Sequence, residues 1–350
     1  MLKEYFPEIL ELRKNDFDKL NALEKEIDSI KKKKNKNKRK EMERRILNIR
    51  EKLVSQVPTE SFYHLVVYQK IDSDKLRAKW VNFIHKNGQN IVKNNLEKWE
   101  LTNLFKSFFI HPYIEITCFP KYSVLICFSF ILAKPYISRD DEQLYIIDNP
   151  IYKDKVFKIP MIAPSSWKGN LRSTLRTVLA VNDSDPRLVR LFGNEKGINE
   201  YERLRTGRLN FYPTFFNSID LEVINPHDRK TRAGTQPIYI ESVPIGAKGV
   251  FSLLYVPFDL VGNNEKLKTE IIDDLKLLDQ GIREMMLTYG FSAKKSSGFG
   301  ISKQIIDGII RVRDIDLSEP RFRSFNELQE KVDEIIRLIS KKGQKNDIKY

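Results

Sequence analysis

The apolar positions of the chain change their period near residue 120. Before it they step by three and four, at Phe17, Leu20, Leu23, Ile27 and Ile30 and again at Ile46, Ile49 and Leu53, which predicts a helical hairpin. Trp80, Phe83 and Ile84, then Leu96, Trp99, Leu104 and Phe105, predict two more helices. Beyond residue 120 strand patterns begin. Tyr122 to Leu132 is a nearly continuous apolar, β-branched and aromatic run, as expected of a strand buried on both faces. A helix is predicted from about 167 to 181, with Trp167, Leu171, Leu175, Val178 and Leu179 as its apolar stripe. Leu209, Phe211 and Phe215 alternate within Gly207 to Phe216, and Gly249 to Val256 reads as a third strand. Ile271, Leu275, Leu278, Ile282 and Met286 line one stripe of a second helix that ends at Gly290, a natural C′ residue. Phe299 to Ile306 is predicted as the fourth strand. The order β-α-β-β-α-β predicts an α+β protein with a ferredoxin-like (RRM-like) core.

Two insertions interrupt that core, at about 135–163 and 217–247, and loops of such length in a compact domain are usually functional or disordered. The expected organisation is a helical N-terminal region over 1–120, the core over 121–312, and a C-terminal helix and tail over 313–350. The last helix opens on Ser324 and Glu327, the spacing of a capping box, before Leu328, Val332, Ile335, Ile336 and Ile339.

With 350 residues, 41% of them hydrophobic, the chain has enough apolar material for an ordinary core without staples. Cys118 and Cys127 lie in strand-like runs without a partner at metal-ligand or redox spacing, so buried thiols in a reducing cytoplasm are expected. The start has no apolar stretch of signal-peptide length, and no run approaches the roughly 20 apolar residues of a membrane span, so a soluble, cytoplasmic protein is expected. A net charge of +14 and a pI near 9.4 favour polyanionic partners. Residues 31–40 carry eight basic residues and no acid, over half of that excess. A solvated loop is the first reading of such a run, and an arm touching RNA or DNA nonspecifically is the second.

The most informative segment is 145–176, in which an acidic loop runs directly into a helix bearing Ser165, Ser166, Lys168 and Arg172. The first N–H groups after Pro164 have no intrahelical partner and, with the positive end of the macrodipole, suit a phosphate. Lys168, Arg172 and Arg176 recur every four residues and share one face. Such a place can hold a nucleic-acid backbone beside a carboxylate.

That segment resembles the RAMP superfamily of CRISPR-associated proteins, and most closely the backbone subunit of type III (Csm/Cmr) effector complexes. The motifs agree in order: Asp148-Asn149-Pro150 through Arg176, Arg190-Leu191-Phe192-Gly193-Asn194, Gly207-Arg208-Leu209, Asn225 through Thr231, and Gly290 through Gly300 with Ser296-Ser297-Gly298-Phe299-Gly300. The match spans roughly 122–310. The resemblance implies a thumb hairpin, here the 217–247 insertion, and copies stacked along a CRISPR RNA beside other effector subunits. It implies that Asp148 corresponds to the catalytic aspartate that cuts paired target RNA, using a divalent cation, Mg²⁺ or Mn²⁺, held by Asp148 and RNA oxygens. It further implies RNA contacts from Lys168, Arg172, Lys294, Lys295, Ser296 and Ser297, and from His227, Arg229, Lys230 and Arg232 near the base of the thumb. Glycine at 290, 298 and 300 permits close backbone approach and positive φ, as a loop around a phosphate needs, although a tight connection before a strand would use glycine too. The chain departs from the family in having no glycine between Lys134 and Asp141 and in carrying the long N-terminal region.

Two functions remain open from these residues: a metal-dependent endoribonuclease cutting guide-complementary RNA with Asp148, and a non-catalytic RNA-binding scaffold or capping subunit of the same kind of complex. Both need the same grip on phosphates. A guide-processing endonuclease would usually need a general base such as histidine, and the Asp-Asn-Pro motif argues against it.

Overall fold

The structure is a computed structural model; it describes residues 112–140, 147, 149–155, 159–194, 205–225 and 237–344, with scattered positions before 112. It divides into two compact units, 1–87 with 141–148 and 88–140 with 149–350. The described residues before 87 are helical, and among them Arg45 pairs with Glu41 one turn away at 2.9 Å, both exposed. The helical hairpin and most of the basic run of 31–40 lie outside the described residues.

In chain order the second unit contains β1 (Val124–Ile131), β2 (Met161–Ile162), α1 (Pro164–Thr177), α2 (Pro186–Phe192), β3 (Leu209–Phe211), β4 (Thr214–Phe215), β5 (Asp220–Ile224), β6 (Ile238–Ser242), β7 (Lys248–Tyr255), α3 (Asn264–Glu284), β8 (Ile305–Val312), β9 (Arg321–Ser324) and α4 (Phe325–Gln344). A mixed α/β architecture results, built on an antiparallel five-stranded sheet in the order β3-β7-β1-β8-β9. β1 is central, with Phe128 opposite Phe251 of β7 on one side and Gly308 of β8 on the other.

Its near-continuous apolar run is explained by burial on both faces. Val124, Ile126, Phe128 and Phe130 enter the main core, while Leu125 and Cys127 join Leu254 and Val256 in a smaller cluster covered by Ile114, Ile116 and Phe119. On the main face Phe128 stacks on Phe251 and meets Phe325 of α4 edge-on, and Trp167 of α1 packs edge-on against Phe251 at 5.0 Å. α1 and α3 lie so close that a Cβ on Gly281 would come within 2.6 Å of Leu175. α4 starts as its capping signature predicts, with Ser324 Oγ accepting from the Glu327 N–H; the Glu327 carboxylate reaches back to the N–H of Arg323 rather than that of Ser324.

Four expectations are corrected. α1 ends at Thr177, not near 181, because the chain leaves the helix through Ala180 at φ +51°, and Val178 is exposed rather than part of the apolar stripe. The strand expected over Phe299–Ile306 is Ile305–Val312. Its Asp307-Gly308 pair resembles a turn in sequence, but glycine is required inside the strand because a Cβ at 308 would strike Phe322 at 2.4 Å and Phe128 at 2.6 Å. Gly207–Phe216 holds two short strands instead of one, and Cys118 sits exposed in a 3₁₀ turn, leaving Cys127 as the buried thiol. Burial pushes the Cys127 thiol up to about 11, so it stays protonated.

The two insertions meet. β5 and β6 pair as an antiparallel ribbon, Val223 opposite Tyr239, and Val243 just past β6 bridges Tyr136 of the earlier insertion.

Candidate nucleic-acid interface

α1 supplies the cationic edge. Proline at its first position fixes the helix start, and Trp167, Leu171, Thr174 and Leu175 form its buried side. Trp167 Nε1 donates to Thr214 Oγ1 at 3.0 Å, and that hydroxyl donates to the Val250 carbonyl at 2.6 Å, so the helix is locked in rotation on the sheet. Ser165, Ser166 and Arg176 are consequently exposed, and Lys168 and Arg172 are half-buried along the flank. Arg176 pairs with Asp183 at 2.6 Å, both about half exposed.

The glycine-bearing loop lies against the other flank of the same helix. Asn170 Nδ2 donates to the Phe291 carbonyl at 2.9 Å, and Ser173 Oγ and the Tyr289 hydroxyl are 2.6 Å apart. α3 ends in a π turn, Met285–Tyr289, and Gly290 takes the positive φ expected of a C′ residue. The loop then carries Lys294 at φ +55° into a single 3₁₀ turn, Lys295–Ser297, with the Lys295 ammonium 4.3 Å from the centre of the Tyr289 ring. Lys294, Ser296 and Ser297 are exposed. Gly290 and Gly300 are required by internal packing: a Cβ on Gly290 would lie 2.7 Å from the Phe299 carbonyl, and one on Gly300 2.3 Å from Ser292 Cβ. A Cβ on Gly298 would meet nothing within 4 Å.

The segment that lacks glycine, from Lys134 onward, runs alongside this loop. Gly300 N–H donates to the Pro135 carbonyl at 2.7 Å, Ala293 N–H to the Ile137 carbonyl at 2.8 Å, and Ser292 Oγ takes the Ile137 N–H at 2.7 Å. No residue of 134–140 takes a positive φ, so this segment has no need of glycine.

Below it the acidic insertion is tied to the ribbon. Glu241 of β6 is fully buried and forms a short ion pair with the equally buried Lys153. The same carboxylate accepts the Ile151 N–H at 3.2 Å, and the Glu241 N–H donates to the Asn149 carbonyl at 3.0 Å. Asp140 donates its N–H to the Pro150 carbonyl at 3.0 Å. Asp148, Asp141, His227, Arg229, Lys230 and Arg232 lie outside the described residues. Among the described residues no group of three or more His, Cys, Asp or Glu side chains is placed to hold a metal ion, and no helix is long and apolar enough to cross a membrane.

Two motif arginines turn inward instead. Arg208, 3% exposed, reaches Asp259 at 2.6 Å, Glu270 at 2.5 Å and Asp274 at 2.9 Å, while Arg190 holds the other oxygen of Asp274 at 2.7 Å. Burial by itself would lower the Arg208 guanidinium, but the Asp259 and Glu270 carboxylates raise it well above its ordinary value. Burial raises the Asp274 carboxyl against the pull of Arg190 and Arg208. The Arg190–Asn194 and Gly207–Leu209 motifs therefore meet each other, the Arg208 N–H donating to the Arg190 carbonyl at 2.9 Å, and build framework rather than a binding surface.

Sequence reasoning missed Glu241, Lys153, Ser173 and Tyr289. A lone acid between Ile240 and Ser242 in an apolar strand was the available signal for the first; nothing in the spacing of Ser173 and Tyr289 foretells their contact.

The RAMP superfamily profile matches residues 134–303. A protein of Streptococcus thermophilus, "CRISPR system Cms endoribonuclease Csm3", is 31% identical over 44% of this chain and 73% of its own length. One of the same name from Mycobacterium tuberculosis is 28% identical over 44% of this chain and 73% of its length. A cryo-EM structure of the type III-B Cmr-beta bound to cognate target RNA aligns with 73% of this chain and 78% of its own at 17% identity and a TM-score of 0.39. The chain belongs to the RAMP superfamily.

Proposed function

We propose that the chain is an RNA-binding backbone subunit of a type III CRISPR effector complex that cuts guide-complementary target RNA. The carrying observation is the junction of α1 with the glycine-bearing loop through Asn170–Phe291 and Ser173–Tyr289, which puts Lys168, Arg172 and Arg176 on one flank of a helix and Lys294 and Lys295 on the other. A ribose–phosphate strand running between the flanks would meet positive charge on both sides. Relatives named as Csm3 endoribonucleases favour the same reading. The strand order β3-β7-β1-β8, with α1 and α3 as the connections, supports a ferredoxin-like core, and the β5–β6 ribbon supports a thumb whose base would carry His227, Arg229, Lys230 and Arg232. Its partners are a CRISPR RNA, the target RNA and other effector subunits, with copies stacked along the guide.

Cleavage is assigned to Asp148. It directly precedes Asn149, whose carbonyl is fixed to the Glu241 N–H, so the buried Lys153–Glu241 pair anchors the chain immediately after it. Mg²⁺ or Mn²⁺ would be held by this one carboxylate and by RNA oxygens, a donor set consistent with a cation that uses one or two carboxylates plus substrate. When bound, it would stabilise charge on the scissile phosphate. The test is Asp148→Ala in the reconstituted complex. Target cutting is expected to vanish with RNA affinity nearly intact; unchanged products would reduce the chain to a binding scaffold, and loss of both RNA affinity and guide retention would remove the reading altogether.

A further inference from the structure

Ser173, Tyr289 and Lys295 are held together where α1, the end of α3 and the glycine-bearing loop converge, and all three are half-exposed. We propose that they form a clamp for one backbone phosphate of single-stranded RNA, with the Ser173 and Tyr289 hydroxyls donating to its non-bridging oxygens and the Lys295 ammonium supplying the charge. The inference rests on the RNA-binding reading above and adds Ser173 and Tyr289 to it.

Three observations carry it. The two hydroxyl oxygens lie 2.6 Å apart, so in the free protein one of their protons is shared between them and the other is not used in that bond; an anion could take both. The Lys295 ammonium is parked over the Tyr289 ring at 4.3 Å instead of ranging through solvent, so its charge stays beside the phenol, and among the described residues no carboxylate contact competes there with a phosphate. The phenol itself is held below its usual value, chiefly by the Ser173 hydrogen bond and further by Thr177 and Lys295, which marks an environment favourable to negative charge.

A tie between loop and helix would not require this arrangement. The loop is already fastened by Asn170 to Phe291, by Ser292 to Ile137, by Ala293 to Ile137 and by Gly300 to Pro135. Those bonds also make the clamp preorganised, since the loop does not have to be ordered when RNA arrives.

The full-length chain is tested with a fluorescently labelled single-stranded RNA of mixed sequence and, separately, with inorganic phosphate. Tyr289→Phe keeps the ring and the ammonium above it but removes the hydroxyl; it and Ser173→Ala are each expected to weaken RNA binding about five- to tenfold, with the salt dependence unchanged. Lys295→Met should instead lower the slope of log affinity against log salt by about 0.7, the value for one phosphate contact on a single strand. The Tyr289 phenol transition, read as the absorbance difference between the wild type and Tyr289→Phe, should move upward when RNA is bound, because a phosphate opposes the phenolate. An unmoved transition, or wild-type affinity in both hydroxyl variants, overturns the clamp. A transition moved by inorganic phosphate but not by RNA also overturns it, as a free-anion site. If the wild type binds no RNA, the broader reading fails first, so the two failures are distinguishable.

Discussion

Arginine plays opposite parts in two regions of this molecule. At the α2–β3–α3 junction Arg208 and Arg190 are enclosed with Glu270, Asp274 and Tyr255, and their guanidiniums bond to these partners inside the protein, while the exposed Asp259 meets Arg208 from the solvent side. Along α1 Arg176 stands half exposed with one carboxylate, Asp183, beside it. Both sets lie within residues 134–303, which the RAMP superfamily profile matches, and both would count equally toward a basic footprint. The difference is dielectric. An enclosed guanidinium needs its carboxylates, because neither charge has water to fall back on, whereas a solvated one keeps its hydration and can exchange its partner for a phosphate. Counting cations along the chain therefore overstates the binding surface by the residues that the core has taken.

The largest expected effect breaks the enclosed set. Arg208→Ala would leave the enclosed Glu270 and Asp274 to one remaining arginine, Arg190, and removal of one partner of a buried pair typically costs about 3–5 kcal/mol. Chemical denaturation is the measurement: the midpoint should fall steeply, and a midpoint within error of the wild type would show that the network contributes nothing to the framework. RNA affinity in whatever fraction stays folded should be unchanged, which separates this arginine from those on α1.

A second buried charge sharpens the contrast because it has no cation enclosing it as Arg208 encloses its carboxylates. Asp279 of α3 is 6% exposed, and burial, aided by the nearby Asp333 of α4, pushes its carboxyl from the ordinary 3.8 up to about 7, with Arg283 pulling the other way. Because the folded value is raised, the folded state binds more protons than the unfolded one between about pH 4 and 7, and stability from this group falls as pH rises through that window and levels off above it. Asp279→Asn copies the protonated form, so its stability relative to the wild type should grow from pH 4 to 7. The gain should reach a few kcal/mol, since each pH step of one across that window contributes at most about 1.36 kcal/mol. A difference independent of pH would mean that the carboxyl titrates normally in the fold.

The legibility of the chain followed the same division between local and distant causes. The α1 pattern, the β1 run and the Ser324–Glu327 cap were readable because period, burial and capping are set within a few residues. The β8 boundary was not, because what requires glycine at 308 inside the strand is the ring of Phe322 and the Cβ of Phe128, neither of which is near it in sequence. The cationic flank of α1 was readable from its four-residue spacing, but the inward turn of Arg190 and Arg208 depends on acids 51 to 84 positions away. Glycine at 290, 298 and 300 does take the positive φ that the sequence suggested, but the close approach of Gly290 to Phe299 and of Gly300 to Ser292 within the loop was not legible from the spacing.

The smallest effect is expected at Arg176, and its size is informative. An exposed ion pair such as Arg176–Asp183 contributes about 0–1 kcal/mol, so Arg176→Ala should leave the denaturation midpoint nearly unmoved. Its effect on RNA binding should also be smaller than that of Lys168→Ala with Arg172→Ala, because Asp183 already offsets part of the charge and must be displaced before a phosphate can take its place. If Arg176 does contact the strand, the salt slope should fall by about 0.7, the release of one contact on single-stranded RNA. An unchanged slope would end the interface before the last turn of α1, confining it to the stretch between Ser165 and Ser173 where the glycine-bearing loop faces the helix. Asp183→Asn gives the complementary reading: freeing Arg176 from its carboxylate should raise RNA affinity modestly if the strand reaches that turn, and should do nothing if it does not.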